Sequence, residues 1–223
     1  MKIVLFGATG MIGAGALLEC LDDSRVDRVV AVGRRSCGVA HAKLTEVLLE
    51  DFFRYDAALP QLSGADACFF CLGVSAAGMS EEEYTRVTHD LTLAAAEALL
   101  RAGSRRAFCY VSGAGTDATG RGRTMWARVK GRTESDLRAL PFDAAYMLRP
   151  GYVQPRRGVR SRTALYRAFY AVFGVFYPLL SRAFPALVTN TVVVGRALLR
   201  LAAEGSPERI LETRDINRLG AAA

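Results

Sequence analysis

Histidine is scarce in this chain, since only His41 and His89 occur among 223 residues. Neither has a cluster of carboxylates beside it in the sequence, so we expect no metal site. Cysteine is also sparse, with five residues, an odd number that does not suggest a disulfide framework. The cysteines are Cys20, Cys37, Cys68, Cys71 and Cys109. Scattered reduced thiols are typical of a cytosolic protein, and we therefore expect a cytoplasmic location.

Long apolar runs are missing as well. No charge-free stretch of 18 or more apolar residues lies outside the glycine-rich N-terminal segment, so no membrane-spanning helix is expected. That segment begins with Lys2 and an uncharged run, as a secretory signal does, but Glu19 and the regular glycines argue against a cleavage region. A second apolar segment, 168–181, is uncharged over 14 residues, which is short of the ~20 that a bilayer requires.

Positive charge is unevenly distributed. Residues 121–182 contain thirteen basic and three acidic side chains, so this segment carries +10 and the remainder −3 of a net charge of +7. Such a patch could meet a nucleic acid or a membrane surface. No zinc-finger, RNP-like or zipper pattern accompanies it, so we expect no nucleic-acid partner. A polyanionic cofactor would account for part of this charge.

Apolar strands alternate with amphipathic helices along the chain, which is typical of a doubly wound parallel sheet, Rossmann-like α/β, with helices on both faces. The predicted strands are Ile3–Phe6, Arg28–Val32, Thr45–Leu49, Ala67–Cys71, Arg106–Val111, Ala144–Leu148 and Ile210–Leu211. The predicted helices are Met11–Leu21, Ser80–Ala102, Met125–Leu140 and Thr191–Ala203. We expect one domain over 1–223, with a nucleotide-binding core at 1–155 and a small helical substrate or lid segment at 156–223.

The first strand is followed directly by Gly7-Ala-Thr9-Gly10-Met11-Ile12-Gly13, and this is the most informative pattern in the chain. Gly7 allows a tight turn, Gly10 allows the backbone to approach a pyrophosphate, and Gly13 allows the next helix to pack on the sheet. The free N–H groups of that helix would then face the phosphates. A glycine pattern alone is weak, but its position between a strand and a helix predicts a dinucleotide site.

Two arginines, Arg34 and Arg35, follow the second strand. Sites selective for NAD commonly have an acidic residue there, whereas arginine suits the 2′-phosphate of NADP. We therefore expect NADP rather than NAD, unless the pair is merely solvated. Asp51 after the third strand either flanks the adenine or is a turn residue. Leu72-Gly73 after the fourth strand is a turn on which the cofactor ribose could lie.

Three further segments carry residues suited to chemistry. Ser112 follows the fifth strand, Trp126 and Lys130 lie four residues apart at the start of a helix, and Pro150 follows the sixth strand. With the glycine turn these segments cover residues 1–155 in the order found in atypical and extended short-chain dehydrogenase/reductases. The chain resembles that family, and especially its NAD-dependent epimerase/dehydratase-like and Tat-interacting-protein-like members.

The resemblance implies a catalytic serine at Ser112 and a catalytic lysine at Lys130. The family's proton-donating tyrosine corresponds to Trp126, whose indole N–H cannot release a proton at accessible pH. Tyr152 could approach the nicotinamide or could simply be packed. The expected cofactor-binding residues are Gly7, Thr9, Gly10, Met11, Ile12, Gly13, Arg34, Arg35, Asp51, Leu72, Gly73, Lys130 and Pro150.

Two leading functions remain open at this point, beside a weaker third, a membrane-surface accessory protein that would use residues 164–182. The first is an NADP(H)-dependent oxidoreductase acting on a small carbonyl or alcohol substrate, as a monomer or homodimer. The second is a non-catalytic NADP(H)-binding sensor or scaffold, since Trp126 replaces the usual acid. The apolar segment 164–182 could line a substrate pocket, form a dimer interface or, less favoured, lie on a membrane surface.

Overall fold

The computed structural model describes residues 1–159 and 177–221. Its strands are β1 Lys2–Phe6, β2 Arg28–Gly33, β3 Leu44–Leu48, β4 Ala67–Phe70, β5 Ala107–Val111, β6 Ala144–Arg149, β7 Tyr152–Gln154, β8 Val188–Asn190 and β9 Ile210–Glu212. Its helices are α1 Met11–Asp22, α2 Leu59–Leu62, α3 Glu81–Thr85, α4 Leu91–Arg101, α5 Met125–Ala139, α6 Tyr177–Ala183, α7 Thr191–Ala203 and α8 Thr213–Ala221. A 3₁₀ turn, Asp56–Ala58, precedes α2, and a π-helical turn, Arg86–Asp90, joins α3 to α4.

Seven strands form one parallel sheet in the order β3-β2-β1-β4-β5-β6-β9. The chain first builds outward from β1 to β3 and then returns to build the other half from β4. This confirms the predicted doubly wound sheet, in which the strand order reverses between β1 and β4. The carboxyl ends of these strands meet at one edge of the sheet, where ligands bind in such folds.

Helices cover both faces of the sheet because the inner strands are apolar on both sides. In β1, the side chains of Ile3 and Leu5 pack with α1, α7 and α8, while Val4 and Phe6 pack with α2, α4 and α5. Glycine allows α7 to approach α1 closely, since a Cβ at Gly195 of α7 would lie 2.7 Å from the Cγ of Glu19 on α1. α7 therefore packs closely on α1.

The structure differs from the sequence-based expectation in a few elements. β7 and β8 form a separate two-stranded parallel sheet, and α8 follows β9 directly; neither was expected. Three-residue strands are too short to show an alternating pattern, which explains the first omission. The single helix expected from Ser80 is instead interrupted by the π-helical turn. Its predicted start is confirmed, because Ser80 and Glu83 form a reciprocal capping box.

Most of the apolar segment 164–182 lies outside the described residues. The three roles considered for it therefore stay predictions. Within residues 1–159 and 177–221, none of the helices is both long and apolar enough to cross a bilayer.

Candidate functional site

The glycine turn after β1 is tightly packed. Gly7 has φ +83°, and a Cβ there would lie 2.7 Å from the carbonyl carbon of Cys71. A Cβ at Gly13 would lie 2.1 Å from the carbonyl oxygen of Gly7, so α1 can begin this close to the turn only with glycine at that position. Gly10 is different, because a Cβ there would meet only the Gly7 oxygen, at 3.3 Å. Its outer side is open toward the cleft described next.

A cavity of about 500 Å³ opens in front of this turn, and we call it the glycine cleft. Of the expected cofactor-binding residues, those that line it are Gly7, Thr9, Gly10, Arg34, Arg35, Asp51, Leu72 and Gly73. The others do not line the cleft: Met11, Ile12 and Gly13 form the first turn of α1 behind it, and Lys130 and Pro150 lie elsewhere. Gly10 is the N-cap of α1 and provides no side-chain cap, so the helix presents bare N–H groups. Anions are favoured at such a helix terminus.

Arg34 and Arg35 are exposed at the rim of the cleft, and neither forms an ion pair or hydrogen bond with any described residue. The loop behind them is held by Glu46 of β3. The Oγ of Ser36 and the N–H of Cys37 both donate to the Glu46 carboxylate, at 2.8 and 2.6 Å. The donated N–H of Cys37, and then the Ser36 hydroxyl, lower the pKa of Glu46. The carboxylate of Glu46 is therefore ionised and already accepts two hydrogen bonds. The guanidinium groups of Arg34 and Arg35 remain free to bind a ligand.

Phe53 and Arg86, which were not expected at the site, also form a wall of the cleft. The guanidinium of Arg86, in the π-helical turn, lies 5.1 Å from the ring centroid of Phe53. Phe53 is 40% exposed, whereas its neighbour Phe52 is buried in the core. The carboxylate of Asp51 accepts from the N–H of Phe53, at 2.9 Å, and lies 3.6 Å from the guanidinium of Arg54. No sequence signal distinguishes Phe53 from Phe52, because the irregular loop has no periodicity.

A second group of polar residues lies beyond the carboxyl ends of β5 and β6, and we call Ser112, Lys130, Glu134 and Arg149 the Glu134 cluster. The Oγ of Ser112 donates to Glu134 at 2.6 Å and also approaches the Leu148 carbonyl at 3.1 Å. The ammonium of Lys130 donates to the backbone carbonyl of Ser112. Arg149 donates to both carboxylate oxygens of Glu134, and it also pairs with Glu212 at 3.2 Å.

Burial sets the electrostatics of this cluster. Glu134 is 1% exposed and Ser112 is 6% exposed. Burial lowers the pKa of Lys130 to about 8, and the negative charge of Glu134 opposes that shift. The hydrogen bonds that Arg149 donates to Glu134 raise the pKa of Arg149, and burial opposes this. The sequence singled out Ser112 and Lys130 but missed Glu134 and Arg149. Glu134 lies one helical turn after Lys130, and this spacing is a signal that could have indicated a shared face.

Trp126 and Lys130 lie on the same helix, one turn apart, and Trp126 is half-buried. Its ring lies 3.5 Å from where a Cβ of Gly115 would be, so it packs against the loop after β5. Pro150 does not reach the cleft; its carbonyl accepts from the N–H of Ala114 and so holds this loop in place. The Tyr152 hydroxyl donates to Gln154, within β7.

The two sites are neighbours along one edge of the sheet. The glycine turn follows β1, Leu72 follows β4, and Ser112 follows β5, in three adjacent strands. Since adjacent strands are ~4.8 Å apart, the Glu134 cluster lies two strand spacings, roughly 10 Å, from the turn. An extended dinucleotide is long enough to lie across both.

His89 corrects one expectation about carboxylates. It is buried and its two ring nitrogens lie 2.7 Å from Asp90 and 2.7 Å from Asp136, so two acidic side chains flank it after all. These carboxylates meet opposite edges of the ring and do not converge on one point. Within the described part of the chain, no group of three or more histidine, cysteine or acidic residues is arranged to hold a metal ion.

Comparison with known proteins places the chain in a family. The model of the NAD dependent epimerase/dehydratase family matches residues 3–126, more than half of the chain. The chain therefore belongs to that family, and it is an atypical short-chain dehydrogenase/reductase, as the resemblance implied. The match runs from β1 to the first residues of α5, so it includes the glycine turn and Ser112 but ends before Lys130, Glu134 and Arg149.

Two curated relatives extend over nearly the whole chain. Protein HTATIP2 of Rattus norvegicus is 30% identical, covering 98% of this chain and 89% of the relative. Protein FMP52, mitochondrial, of Eremothecium gossypii is 30% identical, covering 97% and 96%. Among solved structures, MoeE5 in complex with UDP-glucuronic acid and NAD has a TM-score of 0.65 at 20% identity, covering 95% of this chain and 75% of that one. That likeness supports the fold.

The expected cytoplasmic location is wrong on this comparison. Relatives from Emericella nidulans, Aspergillus fumigatus and Eremothecium gossypii are all named as mitochondrial proteins. Free cysteines misled the expectation, because reduced thiols are not confined to one compartment. All five cysteines are indeed free.

Proposed function

We propose that this protein is an NADP(H)-dependent oxidoreductase that acts on a small carbonyl or alcohol substrate. One observation carries the proposal: two unpaired arginines stand at the rim of a cleft built on the glycine turn. Guanidinium groups match phosphate oxygens in geometry and charge. A cleft that leaves two of them without protein partners is suited to a ligand with an extra phosphate, which distinguishes NADP(H) from NAD(H).

The residues around the glycine turn fit a pyrophosphate. Backbone N–H groups at the start of α1 would bind it, and the open side of Gly10 leaves room for its close approach. Arg34 and Arg35 would hold the 2′-phosphate. Glu46 cannot easily take the role of the acidic residue that binds the ribose in NAD sites, because Ser36 and Cys37 already donate to it.

The Glu134 cluster would lie at the reacting end of the bound cofactor. A bound NADPH supplies a hydride equivalent to the substrate carbon. The chain itself must position the substrate oxygen and provide a proton. Lys130 can hold ribose hydroxyls or the substrate oxygen with its free N–H groups. The hydroxyl proton of Ser112 is directed to Glu134, so we assign Ser112 a positioning role beside Lys130.

A second candidate function is supported by Trp126. Without a tyrosine at that position the protein could bind NADP(H) and serve as a sensor or scaffold without turnover. The two candidates predict different effects of Trp126→Tyr. In a lapsed enzyme the parent turns over no substrate, and the new phenol beside Lys130 creates carbonyl reduction. In an active enzyme the parent already reduces a substrate.

The test is turnover of a panel of aldehydes, ketones and quinones, followed by NADPH absorbance, for the parent and for Trp126→Tyr. NADPH binding is measured in parallel by calorimetry. Turnover by the parent supports the oxidoreductase. Binding without turnover in the parent supports the sensor. Failure to bind either NADPH or NADH would contradict both.

A further inference from the structure

Lysine is rare in this chain, because only Lys2, Lys43 and Lys130 occur among its 29 basic residues. In the segment 121–182, Lys130 stands alone beside twelve arginines. Arginine is always charged and cannot give up a proton, whereas the lysine ammonium can. The one lysine in the basic segment is also the one placed within the Glu134 cluster.

The ammonium of Lys130 is incompletely partnered. It donates to the Ser112 carbonyl, and among the described residues no carboxylate lies within ion-pair distance of it. Glu134, one turn further along α5, is taken up by Ser112 and Arg149. An ammonium has three N–H donors, so Lys130 retains two for a ligand. A Cβ at Gly113 would lie 3.9 Å from its Nζ, so the absence of a side chain at Gly113 keeps the approach open.

We propose that Lys130 is the proton donor of the reaction, in the role for which Trp126 is unsuited, and that Glu134 is a positioning residue for it. This inference rests on the proposed function. In the reduction, the N–H bond at Lys130 Nζ breaks as an O–H bond forms on the substrate oxygen. The carbonyl carbon gains a hydride equivalent from NADPH, which is oxidised to NADP⁺. Lys130 is left neutral and regains a proton from solvent.

The charges around Lys130 support this role. A general acid works best when its pKa is near the working pH, and burial brings the pKa of Lys130 to about 8. The charged group that acts on it is Glu134 on its own helix. That carboxylate is paired with Arg149 of β6, which also pairs with Glu212 of β9. The phenol of Tyr110 on β5 is buried nearby and uncharged, because burial raises its pKa.

The first experiment needs neither cofactor nor turnover. The intact protein is labelled with trace acetic anhydride across a pH series, and the acetylation of each lysine is measured by mass spectrometry, with Lys2 and Lys43 as internal references. Half-maximal reactivity of Lys130 near pH 8 is expected. Glu134→Gln removes the negative charge that favours the ammonium, so the midpoint of Lys130 should move to lower pH. A midpoint above about pH 10 in the parent would overturn the inference.

The second experiment links that midpoint to chemistry. Reduction needs the protonated lysine, so kcat should be constant below about pH 8 and fall above it, and Glu134→Gln should shift this fall to lower pH by the same amount as the labelling midpoint. Lys130→Arg keeps the positive charge but removes the titration. It should lower kcat by roughly 10²-fold or more while NADPH affinity stays within a few fold. Lys43→Arg is the matched control and should leave kcat unchanged.

The outcomes separate the two proposals. Failure of the parent to bind NADPH contradicts the proposed function. Normal binding and turnover with kcat indifferent to Lys130→Arg, or with a pH profile that ignores the labelling midpoint, contradicts only the role of Lys130. Normal binding without turnover of any substrate contradicts both the oxidoreductase and its proton donor.

Discussion

The glycine cleft and the Glu134 cluster lie on one sheet edge but treat charge in opposite ways. Around the cleft, Arg34 and Arg35 are exposed and have no described partner. In the cluster, the Glu134 carboxylate accepts from Ser112 and from Arg149, and Arg149 pairs in addition with Glu212. The two arginines of the cleft are therefore free to bind a ligand. In the cluster the charged groups are paired with one another, except for the ammonium of Lys130.

This difference indicates which part of the site waits for a ligand and which part is built before binding. Unpaired surface arginines cost the free protein little, because water solvates them. A buried carboxylate is stable only with its partners in place. We therefore expect substitutions in the cluster to lower stability first, and substitutions in the cleft to lower affinity with little effect on stability.

The largest expected effect follows from removing the centre of the cluster. Glu134→Ala leaves the partly buried Arg149 with only the more exposed Glu212 as partner, and it should lower the free energy of unfolding by about 3–5 kcal/mol. Urea denaturation measures this. Arg138→Ala, at an exposed position on the same helix, is the control and should change stability by no more than about 0.5 kcal/mol. Equal, small losses in both variants would show that the cluster is not a stabilising unit.

Gly10→Val tests the cleft by the opposite criterion. Its side chain would occupy the open side of the turn, where a pyrophosphate would lie, so nucleotide affinity should fall by roughly 100-fold or more. The melting temperature should fall much less than in Gly13→Val, because a Cβ at Gly10 would make one tight contact, 3.3 Å from the Gly7 carbonyl oxygen. Gly13→Val is the contrasting variant: with a Cβ 2.1 Å from the Gly7 oxygen it should unfold the turn itself. Parent-like affinity in Gly10→Val would mean that the turn is purely structural.

Much of the fold could be predicted from the sequence, because its signals are local. The apolar run of β1, the glycine turn and the capping box at Ser80 each occupy a few consecutive residues. The apolar runs and the glycine turn predicted the strand positions to within a residue or two, and the capping box predicted where α3 begins. β7 and β8 were missed because three residues show no alternation. The π-helical turn at Arg86–Asp90 was missed because its residues read as an ordinary helix.

The site was predicted in part, for the same reason. Residues predicted from the glycine turn and from strand ends, such as Arg34 and Gly73, line the cleft, and their role in cofactor binding stays a prediction. Glu134 and Arg149 were not recognised as part of the site. An acidic residue on a helix usually faces solvent, and only the tertiary packing of α5 against β6 buries Glu134 as the partner of Arg149. Ser112 was found, but the direction of its hydroxyl toward Glu134 depends on that same packing.

The most direct test of the account is calorimetric titration of the parent protein with NADPH and with NADH. The unpaired arginines of the cleft predict tighter binding of NADPH, by about 1–3 kcal/mol, or roughly 5- to 150-fold. The double variant Arg34→Ala, Arg35→Ala should lose this preference while its affinity for NADH stays near that of the parent. Equal affinities for the two cofactors in the parent, or a preference that survives in the double variant, would contradict the account.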